Sequence, residues 1–138
     1  MHYAVLIILV PPVPNLWEKV AEQMQPFKVD WDDPKPWRWD RYDLLGDGPF
    51  ADDEVNRLVS GFDVPSRVCR ISHLPPDYEV SAAVTPDGRW HDLVDFGWRL
   101  VDGNSPQNRE ALIQWQAHFR EIVAQHPDAI GVEVDCHG

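Results

Sequence analysis

The chain opens on an unbroken apolar run, Tyr3 to Val10 (YAVLIILV), that stops at Pro11 and Pro12. With no basic stretch before it and too few residues to cross a bilayer, it reads as a buried strand rather than a signal peptide or membrane segment. Behind Pro14, Asn15 is a good N-cap, and Leu16/Trp17, Val20, Ala21 and Met24 recur at helical spacing until Pro26, predicting a helix that sets Trp17 against a sheet. Residues 27–50 form a connection rich in Pro and Trp. Within it Trp37, Trp39 and Arg41 alternate with Arg38, Asp40 and Tyr42, a period of two that predicts a strand or sheet edge. A short helix is expected next. Asp52, Asp53 and Glu54 suit its positive N-terminal end, Val55, Leu58 and Val59 give it a dry face, and Gly61 stops it.

Further along, Ser66 to Leu74 alternates Val68, Arg70 and Ser72 with Arg67, Cys69, Ile71 and His73, a strand closed by Pro75-Pro76. Tyr78 to Thr85 predicts another strand, Pro86-Asp87-Gly88-Arg89 a turn, and Trp90 to Trp98 the returning arm of a hairpin. Ser105-Pro106 starts the longest helix, with Leu112, Trp115, Phe119 and Ile122 on its apolar face and His126-Pro127 at its end. Ala129 to His137 then sets Val132, Val134 and Cys136 against Glu133, Asp135 and His137, the pattern of a half-buried strand. This order predicts a single α+β domain over residues 1–138: a mostly antiparallel sheet with the helices on one face, of ferredoxin-like sandwich type. Trp17, Trp90 and Trp115 fall on predicted dry faces.

Composition fits a folded chain, with 138 residues and 43% hydrophobic content, enough to bury a core without covalent staples. Two cysteines, Cys69 and Cys136, are too few for a disulfide framework and suit a reducing, cytoplasmic setting. Charge changes the picture more. The net charge is −11, which opposes direct binding to nucleic acid or to an acidic membrane, since both are held through Lys and Arg. Between Asp30 and Asp63 ten acids face four bases, a net of −6, whereas residues 1–29 are balanced. Such a segment is either a solubilising surface or a patch directed at a basic partner.

Candidate chemistry is scattered. Cys69, His73, His91, Asp135, Cys136 and His137 are the metal-type side chains considered, and His91, Asp135 and His137 are the better trio, because Cys136 shares the side of Val132 and Val134 while its neighbours point the other way. Either cysteine could be drawn beside a histidine as a nucleophile, but no nucleophile turn is present. Asp32-Asp33 and Asp40-Asp43 could serve acid–base chemistry, although they lie in a run of acids. Gly46-Asp47-Gly48 is short and acidic, the opposite of a phosphate cradle. Trp31, Trp37 and Trp39 lie within the acidic connection, where rings rimmed by charge serve either as binding anchors or as staples to the sheet.

Three runs resemble those of a family of small uncharacterised proteins of bacteriophages and actinobacterial genomes. VTPDGRWHDLVDFGW (residues 84–98) is similar to that family's PDGxWHExGxMGWWG run, VEVDCHG at the end to its VVDCHI, and WDRYDLLG (residues 39–46) to the first half of its WDWYxIGGRWxG, with Asp47-Gly48-Pro49-Phe50 in place of the second half. The resemblance implies a phage or mobile-element setting and no particular chemistry. Together the charge and the setting lead to a non-enzymatic interaction protein that occupies the basic nucleic-acid-binding surface of a host defence protein, such as a CRISPR effector, with carboxylates imitating phosphates. The residues expected to meet that partner are Asp30, Trp31, Asp32, Asp33, Trp37, Arg38, Asp40, Tyr42, Asp43 and Asp47, with no cofactor and no catalytic group. Two alternatives stand beside it: a metal-dependent or thiol enzyme built on His91 and Asp135/Cys136/His137, and a phage accessory protein whose acidity only confers solubility.

Overall fold

The computed structural model describes residues 2–32, 38–44, 47–50, 55 and 65–138. Among the described residues six strands make one sheet: β1 (His2–Leu9), β2 (Arg41–Asp43), β3 (Val68–Arg70), β4 (Ala82–Val84), β5 (Trp90–Asp92) and β6 (Ile130–His137), with helices α1 (Leu16–Met24) and α2 (Pro106–Ala124). The strand order is β2-β6-β1-β4-β5, with β3 also paired to β6. β1 and β6 are antiparallel over their whole length, from His2 opposite His137 to Leu9 opposite Ile130. The far edge of β6 is shared, Arg41 to Asp43 covering His137 to Asp135 and Val68 to Arg70 covering Val132 to Ile130. On the other side β1 runs parallel to β4, which turns back antiparallel into β5. The α+β class and the mostly antiparallel sheet are those read from the sequence.

The helices are arranged differently from that reading: one lies on each face. Successive β1 side chains point to opposite faces, and both sets are apolar. Val5, Ile7 and Leu9 pack with Leu16, Val20 and Met24 of α1, while Leu6 and Ile8 pack with Trp115, Phe119 and Ile122 of α2. Burying a Leu or Ile side chain is worth about 1.5–3 kcal/mol, so leaving Leu6 and Ile8 wet would cost about 3–6 kcal/mol. A ferredoxin-like sandwich with both helices on one face would incur that cost. Gly131 of β6 fits the crowding on the α2 side, where an added Cβ would lie 2.9 Å from both Ile71 Cδ1 and Leu6 Cδ1.

Two predicted core positions turn outward. The buried stripe of α1 is Leu16, Val20 and Met24, a strict four-residue repeat that rotates Trp17 to 38% exposure. On α2, Ala111 takes the place expected of Leu112, one turn before Trp115, and Leu112 is 42% exposed. Trp90 is half-buried and Trp115 fully buried, its indole N–H donating to the Val80 carbonyl at 2.8 Å. The strands expected over 66–74, 78–85 and 90–98 shrink to three residues each, because 3-10 turns at Pro65–Arg67, Ile71–His73 and Leu93–Phe96 bend the chain around the sheet. Val55 is buried as expected, while the rest of the helix predicted around it lies outside the described residues.

Candidate functional site

The acidic connection is fastened by Trp39. Its ring is 5% exposed, and its indole N–H donates to the Met24 carbonyl at 2.9 Å, closing the C-terminal end of α1. Lys28 bridges to Trp39 in parallel register, the Val29 N–H donates to the Trp39 carbonyl at 2.8 Å, and the Lys28 ammonium sits 5.8 Å above the ring. Tyr42 packs edge-on against Trp39 with centroids 4.9 Å apart, and burial pushes its phenol above the ordinary value. These two rings hold the fold together. They fix where the charges beside them stand.

Directly after the Lys28–Trp39 bridge comes a turn, in which the Asp32 N–H donates to the Asp30 carboxylate at 3.0 Å. Trp31 lies between these acids and is 80% exposed. Asp40, Asp43 and Asp47 are exposed as well, on or beside the β2 edge of the sheet. The Asp40 carboxylate meets His137 Nδ1 at 2.8 and 3.0 Å, and this hydrogen bond holds its carboxyl below the usual value. Asp43 stands opposite Asp135 across the β2–β6 pair, a like-charge placement that costs stability in a sheet. His2 Nδ1 lies 3.3 Å from Asp135, within hydrogen-bond distance of its carboxylate. Asp33 and Trp37 lie outside the described residues.

Arg38 takes a different direction from its neighbours. Its guanidinium Nε is 3.8 Å from Asp92 and its carbonyl accepts the Tyr3 hydroxyl, so it lines a cleft at the end of the sheet where β1 and β4 begin. Burial, with Cys136 and Asp92 nearby, pushes the Tyr3 phenol well above its ordinary range. The cleft has a volume of about 730 Å³ and is walled mainly by Trp90, Leu93, Trp98, Leu100 and Leu112. Asp92 is its organiser: one carboxylate oxygen accepts the Trp90 indole N–H at 3.0 Å and the other caps the following turn through Val94 N–H at 3.0 Å. Arg38 and His2 line the cleft, and His2 also faces Asp135 and the His137 ring, so the cleft and the acidic edge are continuous.

The trio His91, Asp135 and His137 is not brought together. His91 is on β5 and the other two on β6, with β1 and β4 between them, a span of about 14 Å at the usual strand spacing. His137 is engaged with Asp40, and Asp135 with His2. The thiol alternative also lacks a reactive group. Cys136 is fully buried on the α1 face, with its thiol pushed up to about 12 by burial and the neighbouring Asp135, and Cys69 is buried on the opposite face. A thiol protonated at neutral pH is a poor nucleophile. Instead His91 meets His118, a residue that the helical pattern of α2 did not mark, with Nδ1 and Nε2 3.3 Å apart.

Two of the three runs that carried the family resemblance adjoin, residues 41–43 pairing with residues 135–137, while the third folds back on itself through the pairing of residues 82–84 with 90–92 on the other side of β1. Comparison of the chain with family models, with curated proteins and with solved structures gave no match. No helix among the described residues is long and apolar enough to cross a membrane.

Proposed function

We propose that this chain is a non-enzymatic interaction protein whose acidic edge docks onto a basic protein surface of the kind that otherwise binds nucleic acid. The observation that carries this reading is Trp31, a large ring 80% exposed and held in a hydrogen-bonded turn between two carboxylates. A hot spot combines an aromatic anchor with charged surroundings that exclude water on docking. Asp32, Asp40, Asp43 and Asp47 extend the negative field along one edge, where it speeds encounter with a positive surface. A phage or mobile-element setting and a defence protein as the target belong to the same proposal, supported by the sequence resemblance and the charge.

A photo-crosslinking side chain at position 31 tests this in host lysate, with the same group at Ile113 on α2 as the control. The proposal expects basic proteins to be captured from position 31, to be lost at high salt, and to be absent from position 113. Capture that is equal at the two positions and insensitive to salt overturns it. A second reading rests on the cleft, whose 730 Å³ and apolar walls with a few convergent polar groups fall in the range of small-molecule sites. It predicts that Leu100→Arg abolishes ligand binding without affecting capture at position 31.

A further inference from the structure

His91 meets His118 and is held by a chain of polar groups that fixes where its own proton lies. The Thr85 hydroxyl has one hydrogen and donates it to the Asp87 carboxylate, a bond that keeps this carboxyl below its usual value. The Thr85 oxygen is then left to accept from His91 Nε2 at 3.2 Å, so His91 carries its proton on Nε2 and presents a bare lone pair at Nδ1. On α2, Glu121 lies 4.0 Å from His118 Nδ1, beyond hydrogen-bond distance, so His118 is able to carry its proton on Nε2. His118 Nε2 and His91 Nδ1 face each other at 3.3 Å, where one proton bridges them. A metal ion that binds both nitrogens takes the place of that proton.

We propose that His91 Nδ1 and His118 Nε2 form a binding site for a divalent transition metal ion, with zinc the best match and the remaining positions open to water. Zinc–nitrogen bonds of about 2.0–2.1 Å at a tetrahedral angle put the two nitrogens about 3.3–3.4 Å apart, the separation found here. The His91 ring also has the outer partner expected of a metal ligand, its Nε2 facing the Thr85 hydroxyl at 3.2 Å, and the Glu121 carboxylate lies 4.0 Å from the outer nitrogen of His118. Asp87 and Asp95 add negative charge near His91, which favours a cation there, and Arg89 opposes them. Phe96 packs against His118 with centroids 5.4 Å apart and shields one side. No group of three or more His, Cys, Asp or Glu suited to a metal occurs among the described residues, so the protein supplies two ligands and the site is an open one.

The test is a titration of the full chain with zinc chloride, followed by calorimetry and by the ¹⁵N shifts of the histidine rings. One equivalent should bind, moving His91 Nδ1 and His118 Nε2 while leaving His91 Nε2 protonated. His118→Ala, at a half-buried position of a helix that alanine favours, should abolish that binding, as should His91→Ala. His137→Ala should retain it, although His137 also lies beside a second histidine, His2. Absence of binding in the wild type, or binding that survives His118→Ala and is lost in His137→Ala, overturns the site. A pair holding only a proton would show no zinc-dependent shift at either nitrogen, which likewise overturns it.

Discussion

Replacing Trp39 and Trp31 in turn by alanine separates the ring that holds the fold from the ring available for contact. Trp39 is 5% exposed and its N–H occupies the Met24 carbonyl. Truncating a buried tryptophan costs about 3–5 kcal/mol through lost transfer energy and the cavity left behind. At an unfolding entropy of about 2.1 cal/mol/K per residue, the 138 residues give about 0.29 kcal/mol/K. Each kcal/mol therefore shifts Tm by about 3.5 °C, so Trp39→Ala should melt about 10–17 °C below the wild type. Trp31 is 80% exposed, and a surface substitution stays within about 0.5 kcal/mol, under about 2 °C. Thermal denaturation followed by far-UV circular dichroism reads both. The reasoning fails if Trp39→Ala melts within about 3 °C of the wild type, or if Trp31→Ala falls as far as Trp39→Ala.

Other expectations follow from particular contacts. Asn108 is buried, accepts from Arg99 N–H at 2.8 Å and donates to the carbonyls of Arg99 and Gly103 at 2.7 Å each, so Asn108→Ala should cost about 2–4 kcal/mol in urea unfolding and raise hydrogen exchange over residues 99–103. At Gly48 an added Cβ would lie 2.4 Å from the Ser66 carbonyl oxygen, and Gly48→Ala should cost about 1–3 kcal/mol. Because the Asp40 carboxyl is held below its ordinary value by His137, its stabilisation is complete above the unfolded carboxyl pKa of about 4. It is lost as pH falls through the lower folded value. The stability gap between wild type and Asp40→Asn should therefore be constant above about pH 5 and close below about pH 4, read from urea midpoints across pH.

Both long helices were legible because their ends carry local signals. The Asn15 side chain accepts from Glu18 N–H at 3.2 Å and Ser105 Oγ from Asn108 N–H at 3.2 Å, with Pro106 at the first position. The β1–β6 pair was legible in outline from its apolar run and its alternation. Partner choice was not: the parallel pairing of β1 with β4 and the double use of the β6 edge are decided by packing between distant segments. The face of each helix was lost for a related reason. Trp17 and Leu112 each neighbour a residue that fills the stripe better, and a difference of 100° of helix rotation is below what apolar spacing resolves. In the acidic connection, period two grouped Arg38 with Asp40 and Tyr42, yet the strand starts only at Arg41. Arg38 therefore reaches the cleft, Asp40 reaches His137, and Tyr42 packs on Trp39. The exposure of Trp31 was foreshadowed by the acids on both sides of it. The meeting of His91 with His118 had no sequence signal, since it depends on α2 lying over β5.

The measurement that bears most directly on the acidic edge is the salt dependence of association between this chain and the basic partner captured at position 31, recorded by surface plasmon resonance. Asp30→Asn/Asp32→Asn/Asp43→Asn removes three exposed charges without touching the core. The account predicts an on-rate lower by roughly tenfold at low salt, an unchanged off-rate, and convergence with the wild type as salt rises past about 0.15 M, where charges more than about 8 Å apart are screened. Wild-type on-rates for the triple variant at every salt concentration would contradict it, and would leave the acids of this edge with no part in docking.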